Sequence, residues 1–248
     1  METIYILWLR QIIKYFRSKS RIIGSLAQPL LFLIAFGFGF GSIYQRAGEG
    51  NYIQFLVPGI ILMSVLTTAI FSGIDIIWDR QFGFLKETLV APVSRLQIVL
   101  GKTLGGATVA AIQGIIIFLL TLILGFKPQS LILLIPAFAF VFLIAIFFSS
   151  LGTAIASLLE DMQGFQLIMN FFIMPTIFLS GAFFPLENLP KTINFITKIN
   201  LLTYGIDGLR WALNGTSSFS PITNFLILSV VTSALLGIAS YLFSKIQA

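Results

Sequence analysis

Charged side chains are scarce in this sequence, so the places where they cluster are the first candidates for chemistry. The densest cluster lies in residues 78–95, where Asp79, Arg80, Lys86 and Glu87 fall within nine residues and Arg95 follows. At helical spacing Phe82, Leu85 and Leu89 share one side, while Lys86 and the Arg80/Glu87 pair lie away from it. Pro92 closes the run, because proline disfavours the helical conformation in the residue before it, and Ser94 with Gln97 fits a capping box that starts the next helix. Such a segment is suited to docking and not to bond-making: an apolar stripe bordered by both signs of charge. Two readings stand, a helix resting in the membrane interface and a seat for a soluble partner.

The remaining polar positions are isolated. Asp75 sits near the end of an apolar run and reads as a solvated or lightly paired carboxylate. Gly101-Lys102-Thr103 has the tail of a phosphate loop but not its earlier glycine, since that position is Leu96; Lys102 reads as an interfacial anchor. Glu160 and Asp161 suit the positive end of a following helix, with Asp161 as its cap. Asp207 and Arg210 are three apart on a short helix and spaced for a salt bridge, with a structural role. There is no histidine and no cysteine, which excludes the usual zinc, haem and thiol chemistry. No catalytic or metal-ligating set is expected.

The elements that carry these residues follow from hydropathy. Of 248 residues, 57% are apolar and 10% charged, with mean hydropathy +1.00, whereas a soluble domain carries about 25% charged residues. The chain is therefore expected to be an all-α membrane protein forming one domain over 1–248. Apolar runs of about twenty residues mark spans at 22–43, 52–76, 96–125, 131–158, 165–183 and 221–243. Residues 3–20 place Tyr5, Trp8, Leu9, Ile12, Ile13 and Phe16 on one face and Arg10, Lys14 and Arg17 on the other, the pattern of a helix lying in the interface with its cations toward headgroups. Residues 45–51 form a short polar loop. Gly37/Gly41 and Gly101/Gly105 have the small-xxx-small spacing that permits close helix approach. Residues 184–219, with Pro185 and Pro190 in a turn at their start, fit two short half-buried helices better than a span.

The run Asp79-Arg80-Gln81-Phe82-Gly83-Phe84-Leu85-Lys86-Glu87, followed by Leu89-Val90-Ala91-Pro92-Val93-Ser94-Arg95, resembles the signature loop of ABC type-2 transporter permeases, in the branch of the daunorubicin-resistance permease. The turn Pro185-Leu186-Glu187-Asn188-Leu189-Pro190 is similar to that family's Pro-Leu-x-x-Leu-Pro pattern. The resemblance implies an elbow helix at 3–20, six spans, a coupling helix at 79–91 and a re-entrant outer hairpin at 184–219. It implies that Arg80, Phe82, Leu85, Lys86, Glu87 and Leu89 contact an ATPase subunit. It further implies two such ATPases, which hold the ATP and magnesium, and a second permease, identical or related. The function implied is export of a hydrophobic or amphipathic cargo, such as a drug, lipid or lipid-linked glycan. An ATP-independent secondary transporter or channel is the alternative, and the mid-membrane stretches offer it no charged coupling site.

Net charge is +6, which in a membrane protein reflects loop asymmetry and not nucleic-acid affinity. With the amino terminus inside, ten Lys and Arg fall on the inner segments and five on the outer, so a multi-pass cell-membrane protein with both termini cytoplasmic is expected. Cysteines introduced at Ser18 and Ser94 should then react with an impermeant thiol reagent only from the cytoplasmic side, and one at Ser217 only from outside. Labelling of position 217 from the cytoplasm alone rules this topology out.

Overall fold

The computed structural model describes residues 2–46, 51–90, 92–186 and 190–246. Most of the 45–51 loop, Ala91 at the close of the expected 79–91 helix and the Glu187-Asn188-Leu189 interior of the proline turn lie outside the described residues, as does the side chain of Leu89. Among the described residues all regular structure is helical. The helices are α1 (Glu2–Arg17), α2 (Lys19–Arg46), α3 (Tyr52–Phe71), α4 (Ile74–Gln81), α5 (Phe84–Val90), α6 (Arg95–Ile123), α7 (Leu134–Leu158), α8 (Met162–Phe178), α9 (Lys191–Ile199), α10 (Leu201–Asn214) and α11 (Pro221–Ser244).

Among the described residues five stretches are long and apolar enough to cross a bilayer, at 19–41, 52–81, 95–123, 134–158 and 221–244. The second joins α3 and α4 across Ser72 and Gly73, so its apolar character runs further into the charged segment than hydropathy alone suggested. The expected 165–183 span is shorter than anticipated. Helix α8 has 17 residues, about 25 Å of helix against roughly 30 Å of hydrocarbon, and the chain then turns at Gly181 with φ 79°. Helix starts follow their caps: Asn51 accepts from Ile53 N, Ser94 from Gln97 N and Asp161 from Gly164 N.

Helix α3 is the axis of the bundle. Most of the apolar stretch that it opens is buried, whereas α2 and α11 turn most of their surface outward. The contacts of α3 with α6, α7 and α10 hold Leu56, Ile60, Leu62 and Leu66 fully buried. Residues 184–219 supply the two short helices α9 and α10 expected of them, and α10 packs on α3, α7 and α11.

Helix α1 corrects one expectation. It lies side by side with α6 in parallel register: Ile4 and Leu7 at Gly101, Trp8 and Gln11 at Gly105, Tyr15 at Gln113. The buried positions are Leu7, Gln11 and Tyr15, while Tyr5, Ile13 and Phe16 from the expected apolar face are exposed. Polar pairing decides this register, since Trp8 Nε1 donates to Thr108 Oγ1 at 3.0 Å and Tyr15 OH donates to Gln113 Oε1. A Cβ added at Gly105 would sit 2.7 Å from Gln11 Cβ, so a glycine is required there. The Gly37/Gly41 spacing behaves differently: Gly37 has only an ordinary contact with Ile53, and Gly41 has no atom of the described chain within 4 Å of its added Cβ.

Because the chain has no cysteine, a cysteine pair at positions 7 and 101, where the added Cβ lies 2.8 Å from Leu7 Cβ, should cross-link α1 to α6 once the two helices part by about 1 Å to the ~3.8 Å that a disulfide spans. Gly105→Leu should suppress that cross-link and destabilise the chain by about 1–3 kcal/mol through overpacking, whereas Gly41→Leu should leave it intact. Equal cross-linking in the two variants contradicts the α1–α6 contact.

Candidate functional site

The charged residues converge at the end of the bundle where α1, α4 and α6 meet. Asp75 and Asp79 are four apart on α4, and Arg10 and Lys14 are four apart on α1, so each pair shares a helix face. The two faces meet antiparallel. Arg10 grips Asp79 with both terminal nitrogens, at 3.0 and 2.8 Å, and Lys14 Nζ lies 3.0 Å from Asp75 Oδ1. Lys102 of α6 also donates to Asp79 Oδ2. Asp75, Asp79 and Lys102 are buried, while Arg10 and Lys14 keep partial access to solvent. The hydrogen bond to Asp79 raises the Arg10 pKa against the opposing effect of burial.

Three expectations change here. Of the two forms expected of Asp75, solvated or lightly paired, the structure shows pairing, with Lys14, but at a buried carboxylate. Lys102 is a buried partner of Asp79 and not an interfacial anchor. Likewise, two of the cations on α1 point to α4 and not to headgroups.

Beyond Asp79 the chain forms a knuckle. Arg80 donates to Leu159 O at 3.1 Å and Ser157 O at 3.3 Å, satisfying carbonyls at the end of α7. Its contact with Glu160, at 3.9 Å to a carboxylate 88% exposed, adds little. Gln81 Nε2 donates to Glu160 O. Helix α4 then stops at Phe82, and Gly83 adopts φ 80°, a left-handed conformation that residues with a Cβ rarely occupy. Helix α5 starts in a new direction, with the Arg10 guanidinium 4.1 Å above the Phe84 ring.

The expected 79–91 helix is therefore two pieces, and its apolar stripe does not survive the break. Phe82 is 71% exposed and stacks on half-exposed Trp78, with ring centroids 5.2 Å apart, whereas Leu85 is 2% exposed and belongs to the core. Lys86 and Glu87 are exposed, and so is Val90. Arg80 and Glu87 do not pair, because Arg80 turns inward to α7. The outward patch is Trp78, Phe82, Lys86, Glu87 and Val90.

At the opposite end Asp207 and Arg210 lie on α10 but form no direct ion pair among the described residues. Asp207 accepts from Ser218 N at 2.7 Å, Phe219 N at 3.0 Å and Asn224 Nδ2 at 2.8 Å, tying α10 to the start of α11. Arg210 Nη2 donates to Gly181 O at 3.0 Å and Phe55 O at 3.4 Å, and the guanidinium sits 4.1 Å over the Phe55 ring. Pro190 precedes α9 as its N-cap residue, and Pro185 is exposed in the preceding turn. The Asp75/Asp79 and Arg10/Lys14 spacings were visible in the sequence. Nothing in it showed that these two faces meet.

A family model described as ABC-2 type transporter matches residues 2–214. The ycf38 transport permease of Cyanophora paradoxa is 32% identical over 226 residues, covering 88% of this chain and 76% of its own. Nodulation protein J of Rhizobium leguminosarum bv. trifolii is 32% identical over 207 residues, covering 82% and 78%. The inner membrane transport permease YadH of Escherichia coli K12 is 27% identical over 226 residues, covering 90% and 88%.

Asp79 is the charge that α1, α4 and α6 share. Asp79→Asn leaves Lys102 buried without a full countercharge and should cost about 3–5 kcal/mol. Adding Lys102→Met should restore more than half of the loss. Thermal unfolding of the two single variants and the double variant checks this, and simple additivity of the single effects contradicts a shared buried charge.

Proposed function

The chain belongs to the ABC-2 type transporter family, and from this membership we propose that it is the membrane permease of an ATP-driven exporter, seated on its ATPase through the α4–α5 knuckle. The observation that carries the proposal is the two-sided character of the knuckle. Outward it offers the stacked Trp78 and Phe82, bordered by Lys86 and Glu87, a small aromatic anchor with a charged rim. Inward it is bound by Asp79 to α1 and α6, by Arg80 to α7 and by Leu85 to the core. A push on the outer side therefore acts on three other helices at once. ATP-dependent closure of two ATPase subunits, which carry the nucleotide and magnesium, would shift the permease between states only through contacts that differ between those states, and the knuckle is placed to make them.

On this reading a second permease, identical or related, completes the membrane unit. Its assembly leaves Gly37 and Gly41 of α2 as candidate positions in an interface between subunits. The knuckle end faces the cytoplasm of the cell or inner membrane, and α9 and α10 form the re-entrant hairpin on the outer side. Outward apolar faces on α2, α8 and α11 suit a hydrophobic or amphipathic cargo. The ATP-independent alternative now has a charged cluster to draw on, but both of its carboxylates are already bound to cations at one end of the bundle.

Phe82→Ala should weaken pull-down of the ATPase by about 2 kcal/mol, roughly thirtyfold, and lower transport-coupled ATP hydrolysis while leaving the permease's own unfolding temperature unchanged. Glu87→Lys should act in the same direction by mismatching the rim. Leu85→Ala should instead destabilise the permease, because that side chain is core. Wild-type association and transport in both Phe82→Ala and Glu87→Lys refute this assignment of the knuckle.

A further inference from the structure

The end of the bundle away from the knuckle holds an open bowl of about 700 Å³ between the start of α3, α9, α10 and the α10–α11 loop. Its polar groups divide into committed and uncommitted sets. Asp207 is the one carboxylate among the described lining residues, and it is fully occupied by Ser218 N, Phe219 N and Asn224. Neither Arg210 nor Lys198 forms an ion pair among the described residues, although Asp207 lies close enough to act on Arg210 through space. Arg210 Nη2 is held by Gly181 O and Phe55 O, which fixes the guanidinium plane, while Nε is buried without a partner and Nη1 makes no hydrogen bond among the described residues. Around them, the side chains of Asn194, Thr216, Ser217 and Ser218 have no protein partner among the described residues. Among the described residues, a held cation, an exposed cation and several unpartnered polar side chains, against one carboxylate that is already bound, suit an anion that also carries hydroxyl or ester oxygens.

Helix α9 indicates what the anion is attached to. Asn194, Thr197 and Lys198 line the bowl, while Phe195, Ile196 and Ile199 are 66%, 45% and 63% exposed on the other side. A nine-residue helix that is polar toward a cavity and apolar away from it lies where headgroups meet acyl chains. A ligand bridging the two sides has a polar anionic head and an apolar tail.

We propose that this bowl is a binding site for the anionic, hydroxyl-bearing headgroup of an amphiphile, with the charge on Arg210 and Lys198 and the tail along the exposed face of α9. The same chemistry comes from two sources, a resident lipid of the leaflet or the polar head of a cargo. The site does not depend on the partner ATPase, so its test uses the purified full chain alone and its failure leaves the knuckle reading untouched.

The probe is dioctanoyl phosphatidylglycerol against dioctanoyl phosphatidylcholine, measured by retention of the lipid on the detergent-purified protein. Wild-type protein should retain the anionic lipid about tenfold better, the factor that one charge-assisted contact carries. Lys198→Glu should abolish the preference. It is the decisive variant because Lys198 is exposed and makes no contact that folding needs. Arg210→Gln should also abolish it, and Arg210→Lys should recover part of it. Two further arms distinguish the sources. Free glycerol phosphate that competes shows that the head alone is recognised, as a cargo head released at this end requires. A phosphatidylglycerol preference that glycerol phosphate does not reduce marks a resident lipid held by head and tail together. Equal retention of the two lipids by wild-type protein, or an unchanged preference in Lys198→Glu, overturns the site.

Discussion

The bundle depends on a single carboxylate that cannot be buried alone. Asp79 is 4% exposed, and isolating an ionised carboxylate from water costs several kcal/mol even after relaxation, by order of magnitude. It is tolerated because Arg10 offers it two donors and Lys102 a third. The requirement is mutual, since Lys102 is equally buried. Three segments far apart in the chain are thereby held in one arrangement, and α1 becomes part of the bundle instead of a surface appendage. Asp75 with Lys14 repeats the contact one turn away and sets the rotation of α1 about its axis. Such a network adds little net stability compared with apolar packing of the same volume, but breaking any one member is costly. It therefore acts as a lock on geometry.

The lock sits next to the sharp turn at Gly83. Gly83 lets the chain leave α4 and begin α5 at once, which projects Phe82 outward and drives Leu85 inward. A continuous helix would have kept Phe82 and Leu85 on the same side. The break converts an amphipathic helix into a knuckle with an outer contact surface and an inner anchorage. Because Asp79 and Arg80 are adjacent, the knuckle reaches α1 and α6 through one residue and α7 through the next. Stiff packing of this kind passes a displacement on, where a loop would absorb it.

The two ends of the bundle solve the buried-charge problem in different ways. At the knuckle end carboxylates meet cations directly. At the other end Asp207 is satisfied by two backbone N–H groups and an amide, and Arg210 is held by two carbonyls and an aromatic ring while its Nε stays buried and unpaired. Hydrogen bonds of this kind orient each charge without cancelling it. With Lys198, the described lining of the bowl holds two cations and one carboxylate, whereas the Asp79 cluster exposes only parts of Arg10 and Lys14.

Much of the architecture was legible in the amino-acid sequence, because a bilayer imposes length and apolarity on any helix that crosses it. Runs near 52, 96, 131 and 221 marked helices to within a few residues, and Ser94 and Asp161 marked helix starts through local hydrogen bonds their own side chains make. The segment at 78–95 stood out for the same reason, as charge where apolar residues dominate. Properties that depend on distant partners were not legible. Asp75, Lys102 and Arg10 look like interfacial charges when each is read on its own helix, and only their convergence makes them an internal network. The Asp207/Arg210 spacing suggested an ion pair, but nearer backbone groups outcompeted it once α10 met α3 and α11. Periodicity assumes an unbroken helix, so the single left-handed residue at Gly83 was enough to move Leu85 from the outer face to the core. Local physics determined where helices form; which of their faces meet was decided by the requirement that every buried charge find a partner, and that requirement acts only in three dimensions.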